Sequence, residues 1–365
     1  MLAAVLTRPG IAVTVEELVL DPPGPGEIRV RMLASGVCHS DLHVRDGEWD
    51  RPGPMVLGHE GAGIVEAVGP GVASPLVGET VALSWLIPCG TCRSCRRGST
   101  WECPDSPSYR HRMLDGTSRI HRADGSDVLA YCAIATMAET MVVPAAAAIP
   151  IPDGLDPAAA ALIGCCVATG VGAVTKTAAV RAGSSVAVIG LGGVGLSCIM
   201  GAVLAEAGAI IAVDRVAAKL ERARELGATD VILAGDDPAA TVERLRELTS
   251  GGPDYCFEAI GLQSTIEQAI GALPTGGTAV LVGMTPFGVK VSLEVFPFVD
   301  GSRRILGSNY GFAEPVLDFP RYAQLAIDGR LPIERLIDRR IGLVDVEDAF
   351  ERMRRGEDVR QVVVF

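Results

Sequence analysis

Short apolar runs alternate with turn clusters along the N-terminal part of the chain, and Glu27-Ile28-Arg29-Val30-Arg31-Met32 alternates polar with apolar side chains at period two. Met1-Leu2-Ala3-Ala4-Val5-Leu6, Glu27-Ile28-Arg29-Val30-Arg31-Met32, Gly63-Ile64-Val65-Glu66-Ala67-Val68 and Thr80-Val81-Ala82-Leu83 are separated by Gly/Pro clusters, of which Asp21-Pro22-Pro23-Gly24-Pro25-Gly26 is the clearest. Side chains on a strand point alternately to its two faces, so this pattern predicts an antiparallel, partly barrel-like sheet region with one buried face. Residues 104–143 carry no strong period and most of the stretch reads as loop over that region, with His111 and His121 as packing or surface side chains.

The pattern changes after Pro150-Ile151-Pro152-Asp153-Gly154. Asp156 can cap a helix whose first position is Pro157 and whose body is Ala158 to Ile163. That helix is expected to end in a glycine-bounded turn, Gly164-Cys165-Cys166-Val167-Ala168-Thr169-Gly170, before a second helical stretch through Val180. From Ser185 the units alternate strand and helix. Val186-Ala187-Val188-Ile189 is wholly apolar, as in a parallel strand covered on both faces. Further strands are read at Ala209–Val213, Asp230–Leu233, Tyr255–Ala259 and Thr278–Gly283, with helices at Ala239–Ser250 and Ser264–Ala272, which makes a doubly wound sheet. Two amphipathic stretches, Phe319–Asp328 and Val346–Arg355, precede a closing strand Gln361–Phe365 that is expected to return to the first domain.

Composition narrows the class. With 48% hydrophobic and 21% charged residues and no run of eighteen apolar positions, the chain reads as a globular protein of two or three domains without a membrane span. The N-terminus lacks the basic region of a signal peptide and reads as a first strand. A net charge of −12 repels phosphate backbones and anionic lipid, which argues against nucleic acid and membranes as partners. Ten cysteines without a secretory signal suit metal ligation and buried thiols in a reducing, cytoplasmic setting rather than disulfides.

Candidate chemistry gathers in three places. Cys38-His39-Ser40-Asp41-Leu42-His43 and Gly58-His59-Glu60-Gly61 bring together a thiol, carboxylates and three of the five histidines, a donor set that suits zinc but needs a further ligand. Cys165 or Cys166 could supply it and leave a fourth position open. Cys89, Cys92 and Cys95, followed across a short loop by Cys103, can wrap one tetrahedral ion completely. Zinc fits such a closed structural site, with an iron–sulfur cluster or free thiols as rivals. Gly190-Leu191-Gly192-Gly193-Val194-Gly195 follows a strand and opens a helix, and Asp214 ends the next strand. In that context the glycines admit a pyrophosphate at the helix N-terminus and Asp214 can accept from ribose hydroxyls, which favours NAD over NADP.

On these motifs, together with Thr169-Gly170 and the ending Val359-Arg360-Gln361, the chain resembles the zinc-dependent medium-chain alcohol dehydrogenases over essentially its whole length. The resemblance implies an α/β protein: a GroES-like antiparallel β catalytic domain over residues 1–166 with a structural zinc lobe at 89–103, a doubly wound Rossmann coenzyme domain over 167–309, and a return of 310–365 to the catalytic domain. It implies that Cys38, His59 and Cys165 hold the catalytic zinc, that Glu60 can exchange onto it, and that Asp41 bonds the outer nitrogen of His59. Ser40 would touch the substrate oxygen and send its proton toward His43. His39 and Arg360 would approach the pyrophosphate, Lys219 the adenosine ribose, and Thr169 would belong to the cofactor site. Trp49 and Trp85 would line the substrate pocket, with Met284 and Asn309 at its rim. Cys166 stands where a glycine is more usual. The subgroup that oxidises the glutathione adduct of formaldehyde favours an acid where this chain has Trp49 and an arginine near Pro107, which argues against an anionic peptide-like substrate. The long span from Cys103 to Cys165 resembles the dimeric branch.

The expected activity is therefore reversible oxidation of a primary or secondary alcohol to aldehyde or ketone, with NAD taking the hydride. Two alternatives stay open: reduction of a carbon–carbon double bond conjugated to a carbonyl, against which the Ser40/His43 relay speaks, and an enzyme that keeps NAD bound and passes electrons to another acceptor.

Overall fold

The computed structural model describes all residues from Met1 to Phe365. The chain divides into two compact units, one formed by Met1–Cys165 with Glu314–Phe365, the other by Cys166–Ala313.

In the first unit the long strand Glu27–Val37 is the hub. Its first half pairs with Thr140–Pro144, its second half pairs antiparallel with Gln361–Val364, and Glu60–Val68 runs along its other edge. Thr80–Leu83 and then Ala148–Pro150 extend the sheet beyond Glu60–Val68, and Arg339–Ile341 extends it beyond the C-terminal strand. The predicted alternation sets the faces. Ile28, Val30, Met32, Val65 and Leu83 are buried in one core, and each is worth roughly 1.5–3 kcal/mol of burial. On the opposite face Arg29 and Arg31 reach Glu66 in solvent-exposed pairs that contribute far less. Apolar burial, not surface pairing, therefore fixes the register. That register sets Glu60 opposite Gly36 and Gln361 opposite Val37.

Most of 104–143 is irregular, with the strands Ile120–His121, Asp127–Ala130 and Thr140–Pro144 set within it or at its end. The first two are so short that no period can show in them. One expectation changes: the turn at 164–170 is absent, because the chain stays helical from Pro157 to Thr177 with π-helical segments at Ile163–Val167 and Ala173–Thr177. Gly164 serves close approach rather than a turn: a Cβ there would lie 2.3 Å from the carbonyl oxygen of Leu83. This helical run is long and apolar enough to cross a membrane by composition alone, yet most of it is buried inside the protein, as befits a core helix.

The second unit is a parallel sheet in the order Asp230–Leu233, Ala209–Asp214, Ser185–Ile189, Tyr255–Glu258, Thr278–Leu281, Arg304–Gly307. The strand order reverses beside Ser185–Ile189, the crevice position where doubly wound sheets bind nucleotides. Helices Gly193–Leu204, Ala217–Glu225, Pro238–Leu248 and Gln263–Gly271 connect the strands.

Candidate active site and metal centres

Cys38 ends the hub strand's run and stands at the N-cap of helix His39–Asp46. Asp41 is fully buried in the first turn of that helix and organises what surrounds it. One of its oxygens accepts from the Cys38 amide at 3.2 Å; the other accepts from the Gly58 amide at 3.0 Å and lies 3.2 Å from Nδ1 of His59. A carboxylate bonded to Nδ1 keeps the proton there and leaves the lone pair on Nε2. That Nε2 is buried and has no hydrogen-bond partner.

Ligand atoms of Cys38, His59, Glu60 and Cys165 all lie within 4.8 Å of one another, and all four residues are buried. Gly36 makes room for this cluster, since a Cβ there would fall 2.1 Å from Oε2 of Glu60. The other Glu60 oxygen accepts from Arg360 at 2.5 Å, and Arg360 also donates to the Val37 carbonyl at 2.8 Å. Burial lifts the Glu60 carboxyl to about 7 against the pull of Arg360. The Cys165 thiol donates to Cys38 and so holds Cys38 well below the usual thiol range, against burial, while Cys165 itself is pushed up by giving that bond and by burial. Burial pulls His59 down, yet the charges of Asp41 and Cys38 hold it well above its ordinary value. Two sulfurs, an imidazole nitrogen and a carboxylate oxygen converge in the interior, away from the surface, and a bound cation satisfies all four at once. Of the two adjacent thiols, Cys165 belongs to this group and Cys166 does not.

The second cluster is local. Ligand atoms of Cys89, Cys92, Cys95 and Cys103 also lie within 4.8 Å of one another. The sulfurs of Cys89 and Cys95 are 3.9 Å apart, as are those of Cys92 and Cys103. A tetrahedron with zinc–sulfur bonds of ~2.3 Å has edges of about 3.8 Å, so the set fits zinc closely. Amides aim at the sulfurs as they do around thiolates: Cys92 donates to Cys89 Sγ, Cys95 to Cys92 Sγ and Cys89 to Cys103 Sγ. Backbone bonds from Thr91 and Cys92 bring Cys89 down to about 6, whereas desolvation pushes Cys95 up to about 12. All ten cysteines are free thiols.

In the second unit, Gly190 adopts φ +94°, a left-handed conformation that favours glycine, and a Cβ on Gly195 would lie 1.7 Å from the Gly190 carbonyl oxygen. A Cβ on Gly192 would meet nothing within 4 Å, so the loop lies open at the start of helix Gly193–Leu204. Asp214 closes this loop onto the next strand, accepting from the Leu191 amide at 2.7 Å and the Val216 amide at 2.9 Å. Thr169 is half-buried beside Gly170, whose backbone packs on Val194. Lys219 lies half-buried on Ala217–Glu225.

Matches to known proteins follow the same division. Residues 24–153 match the alcohol dehydrogenase GroES-like domain and residues 193–327 the zinc-binding dehydrogenase domain. The chain is 35% identical over 367 residues to an NDMA-dependent alcohol dehydrogenase of Amycolatopsis methanolica, covering 99% of this chain and 98% of that one. It is 36% identical to an S-(hydroxymethyl)glutathione dehydrogenase of Synechocystis sp., with 99% and 98% covered. The chain belongs to the zinc-dependent medium-chain alcohol dehydrogenase family. The crystal structure of an alcohol dehydrogenase zinc-binding domain protein from Burkholderia ambifaria superposes with a TM-score of 0.95 at 35% identity, covering 100% of this chain and 98% of that one.

The other residues of the dehydrogenase singled out in the sequence are spread over both units. The Ser40 hydroxyl is 3.9 Å from Cys38 Sγ. His39 is exposed and His43 half-buried on the same helix, their rings 6.3 Å apart. Trp49 is buried, with its ring stacked on His43 at 4.8 Å. Trp85 is half-buried at the edge of the first unit's core, while Met284 and Asn309 are exposed in the second unit. Sequence reasoning missed three contacts. Glu60 pairs with Arg360, Tyr131 sets its ring edge-on to His59 at 5.5 Å, and Glu48 bonds His43. Only the last left a local sign, an acid just past the helix that carries His43.

Proposed function

We propose that this alcohol dehydrogenase oxidises a primary or secondary alcohol reversibly to an aldehyde or ketone and hands the hydride to NAD. The observation that carries this reading is the buried convergence of Cys38, His59, Glu60 and Cys165, with the unpartnered Nε2 of His59 among the donors. The unit Met1–Cys165 with Glu314–Phe365 is the catalytic domain, and Cys166–Ala313 is the coenzyme domain.

Cys38, His59 and Cys165 would hold a catalytic zinc with Glu60 placed to exchange onto it, and Cys89, Cys92, Cys95 and Cys103 a structural one. When bound at the first site, zinc supplies Lewis acidity of the kind that lowers the pKa of water from about 15.7 to about 7. The chain's own residues do the rest. Asp41 orients His59, and Arg360 holds Glu60 in place. Ser40 takes the proton of the alcohol hydroxyl, and His43 is its destination before solvent. Gly190, Gly192, Gly193, Val194 and Gly195 receive the pyrophosphate at a helix N-terminus. Asp214 selects NAD, because a 2′-phosphate would face its charge, and Lys219 and Thr169 complete the cofactor site. Trp49 and Trp85 shape the catalytic domain's side of the space for the substrate. With Trp49 and Pro107 at the diagnostic positions, an uncharged alcohol suits the site better than a glutathione adduct.

A homodimer fits the surface of the coenzyme domain. Phe287 and Phe296 are each 78% exposed and Val299 is 72% exposed, and Arg304–Gly307 is the terminal strand of the sheet. Exposed apolar groups of this size and an open strand edge each call for a partner surface. Free thiols throughout suit the reducing cytoplasm.

The test is NADH formation from a panel of ethanol, hexanol, benzyl alcohol and isopropanol by the native enzyme and by Cys38→Ser and His59→Ala. Both variants should lose activity, and full activity in either sinks the ligand assignment. Likeness to the NDMA-dependent relative supports a second reading, in which NAD stays bound and electrons leave to another acceptor. Nucleotide that survives dialysis and turnover without added NAD would favour it.

A further inference from the structure

The C-terminal turn of helix His39–Asp46 places two side chains on one imidazole. Gly47 takes φ +79°, the left-handed conformation that commonly ends a helix, and its amide bonds back to the carbonyls of His43 and Val44. The next two amides, of Glu48 and Trp49, also fold back onto the His43 carbonyl, at 3.0 and 3.2 Å. Backbone capping therefore returns the chain over His43. Glu48 Oε2 comes to 2.5 Å from Nδ1, and the Trp49 indole stacks on the ring at 4.8 Å with 26° between planes. The other charged groups of the helix are committed elsewhere, Asp41 to His59, Arg45 to Glu347 and Asp46 to Arg354. Beyond Glu48, the titratable group facing His43 is His39, with ring centroids 6.3 Å apart.

A carboxylate accepts and never donates, so the nitrogen it touches must carry the proton. We propose that Glu48 is a positioning residue of the proton relay: its carboxylate fixes His43 with the proton on Nδ1 and leaves Nε2 open to take the proton that leaves the alcohol. Trp49 holds the plane of the ring, so rotation cannot exchange the two nitrogens. The step balances: the alcohol gives its hydride to NAD and its hydroxyl proton by way of Ser40 to Nε2, and the imidazolium returns that proton to water. The logic is that of a carboxylate orienting a histidine base, with the tautomer set by the nitrogen that does not react. Glu48 is 45% exposed at its side chain, so water can partly replace it, and its loss costs less than loss of His43 itself. The proposal rests on the Ser40/His43 relay proposed above.

Two measurements on the full-length holoenzyme test it. In the nitrogen-15 spectrum of histidine-labelled protein, which has five histidines, His43→Gln identifies the His43 signals. Native enzyme should show neutral His43 protonated at Nδ1, and Glu48→Gln should move it toward the Nε2–H form. In steady state with the best alcohol of the panel, Glu48→Gln should lower kcat roughly tenfold, a fraction of the 10²–10⁴ that a positioned base supplies. The KM for NAD should stay within about twofold, and Glu48→Asp should recover part of the loss. In a His43→Gln background the same change should cost less than about twofold, because Glu48 then has nothing to orient. Native His43 protonated at Nε2, or equal losses from Glu48→Gln with and without His43, overturns the proposal. Full kcat in His43→Gln overturns the relay itself, whereas an impaired His43→Gln beside an unimpaired Glu48→Gln overturns only the part given to Glu48.

Discussion

Changing Asp41 to Asn keeps the shape of the side chain and removes its charge and one acceptor oxygen. The buried carboxylate faces three N–H groups, from Cys38, Gly58 and His59. The amide has a single oxygen, so at least one N–H must face an NH₂ across a buried contact, which costs about 1–3 kcal/mol. The His59 ring also loses the negative charge that holds its proton on Nδ1 and its lone pair on Nε2. Partners of that kind typically account for 10–100-fold in metal affinity, or about 1.4–2.8 kcal/mol. The Cys89–Cys103 lobe has no contact with Asp41 among its bonds. Competition with a chromophoric zinc chelator should therefore resolve two classes of zinc in the Asp41→Asn protein. One should be weakened by about 10–100-fold and the other should match the native enzyme. Equal, native-like affinities at both sites would refute the role given to Asp41, and equal weakening of both would show that the substitution unfolds the catalytic domain instead.

Asp214→Gly should lower the NAD-to-NADP ratio of kcat/KM by about tenfold or more, and an unchanged ratio would mean that Asp214 only ties Leu191 and Val216 to the loop. Cys103→Ser should lose one zinc per chain and roughly 5 °C of melting temperature; unchanged metal content would remove the lobe from the account. His111 offers a pH test, since burial and then the charge of Arg51 bring it down to about 4. The folded protein keeps it neutral, so the unfolded chain binds the extra proton between its ordinary value near ~6.5 and about 4, and stability falls as pH drops through that window by up to about 3 kcal/mol. Chemical denaturation of native and His111→Gln protein at both ends of the window should show a shallower acid loss in the variant, and identical slopes would contradict this.

Sites whose parts are neighbours along the chain were legible in the sequence. Three thiols at intervals of three and a fourth across a short loop can reach one ion only by folding back locally, and the glycine loop carries its strand and helix with it. The buried cluster was legible only as fragments. Cys38, His59 and Cys165 are joined through the pairing of Glu27–Val37 with Glu60–Val68 and through the approach of Gly164 to Leu83, and no local pattern encodes those contacts. The pairing of Glu60 with Arg360 depends on the C-terminal strand lying beside Val37. Gly164 was misread because glycine serves turns and close approach alike, and sequence does not distinguish them. The short strands between residues 104 and 143 escaped because two to five residues held by partners from elsewhere show no period of their own.

Zinc content set beside turnover tests the central claim most directly. Elemental analysis of extensively dialysed protein should give two zinc ions per chain in the native enzyme and one in Cys38→Ser, with alcohol-dependent NADH formation lost together with the missing ion. One zinc in the native enzyme, or two retained with full turnover in Cys38→Ser, would contradict the account.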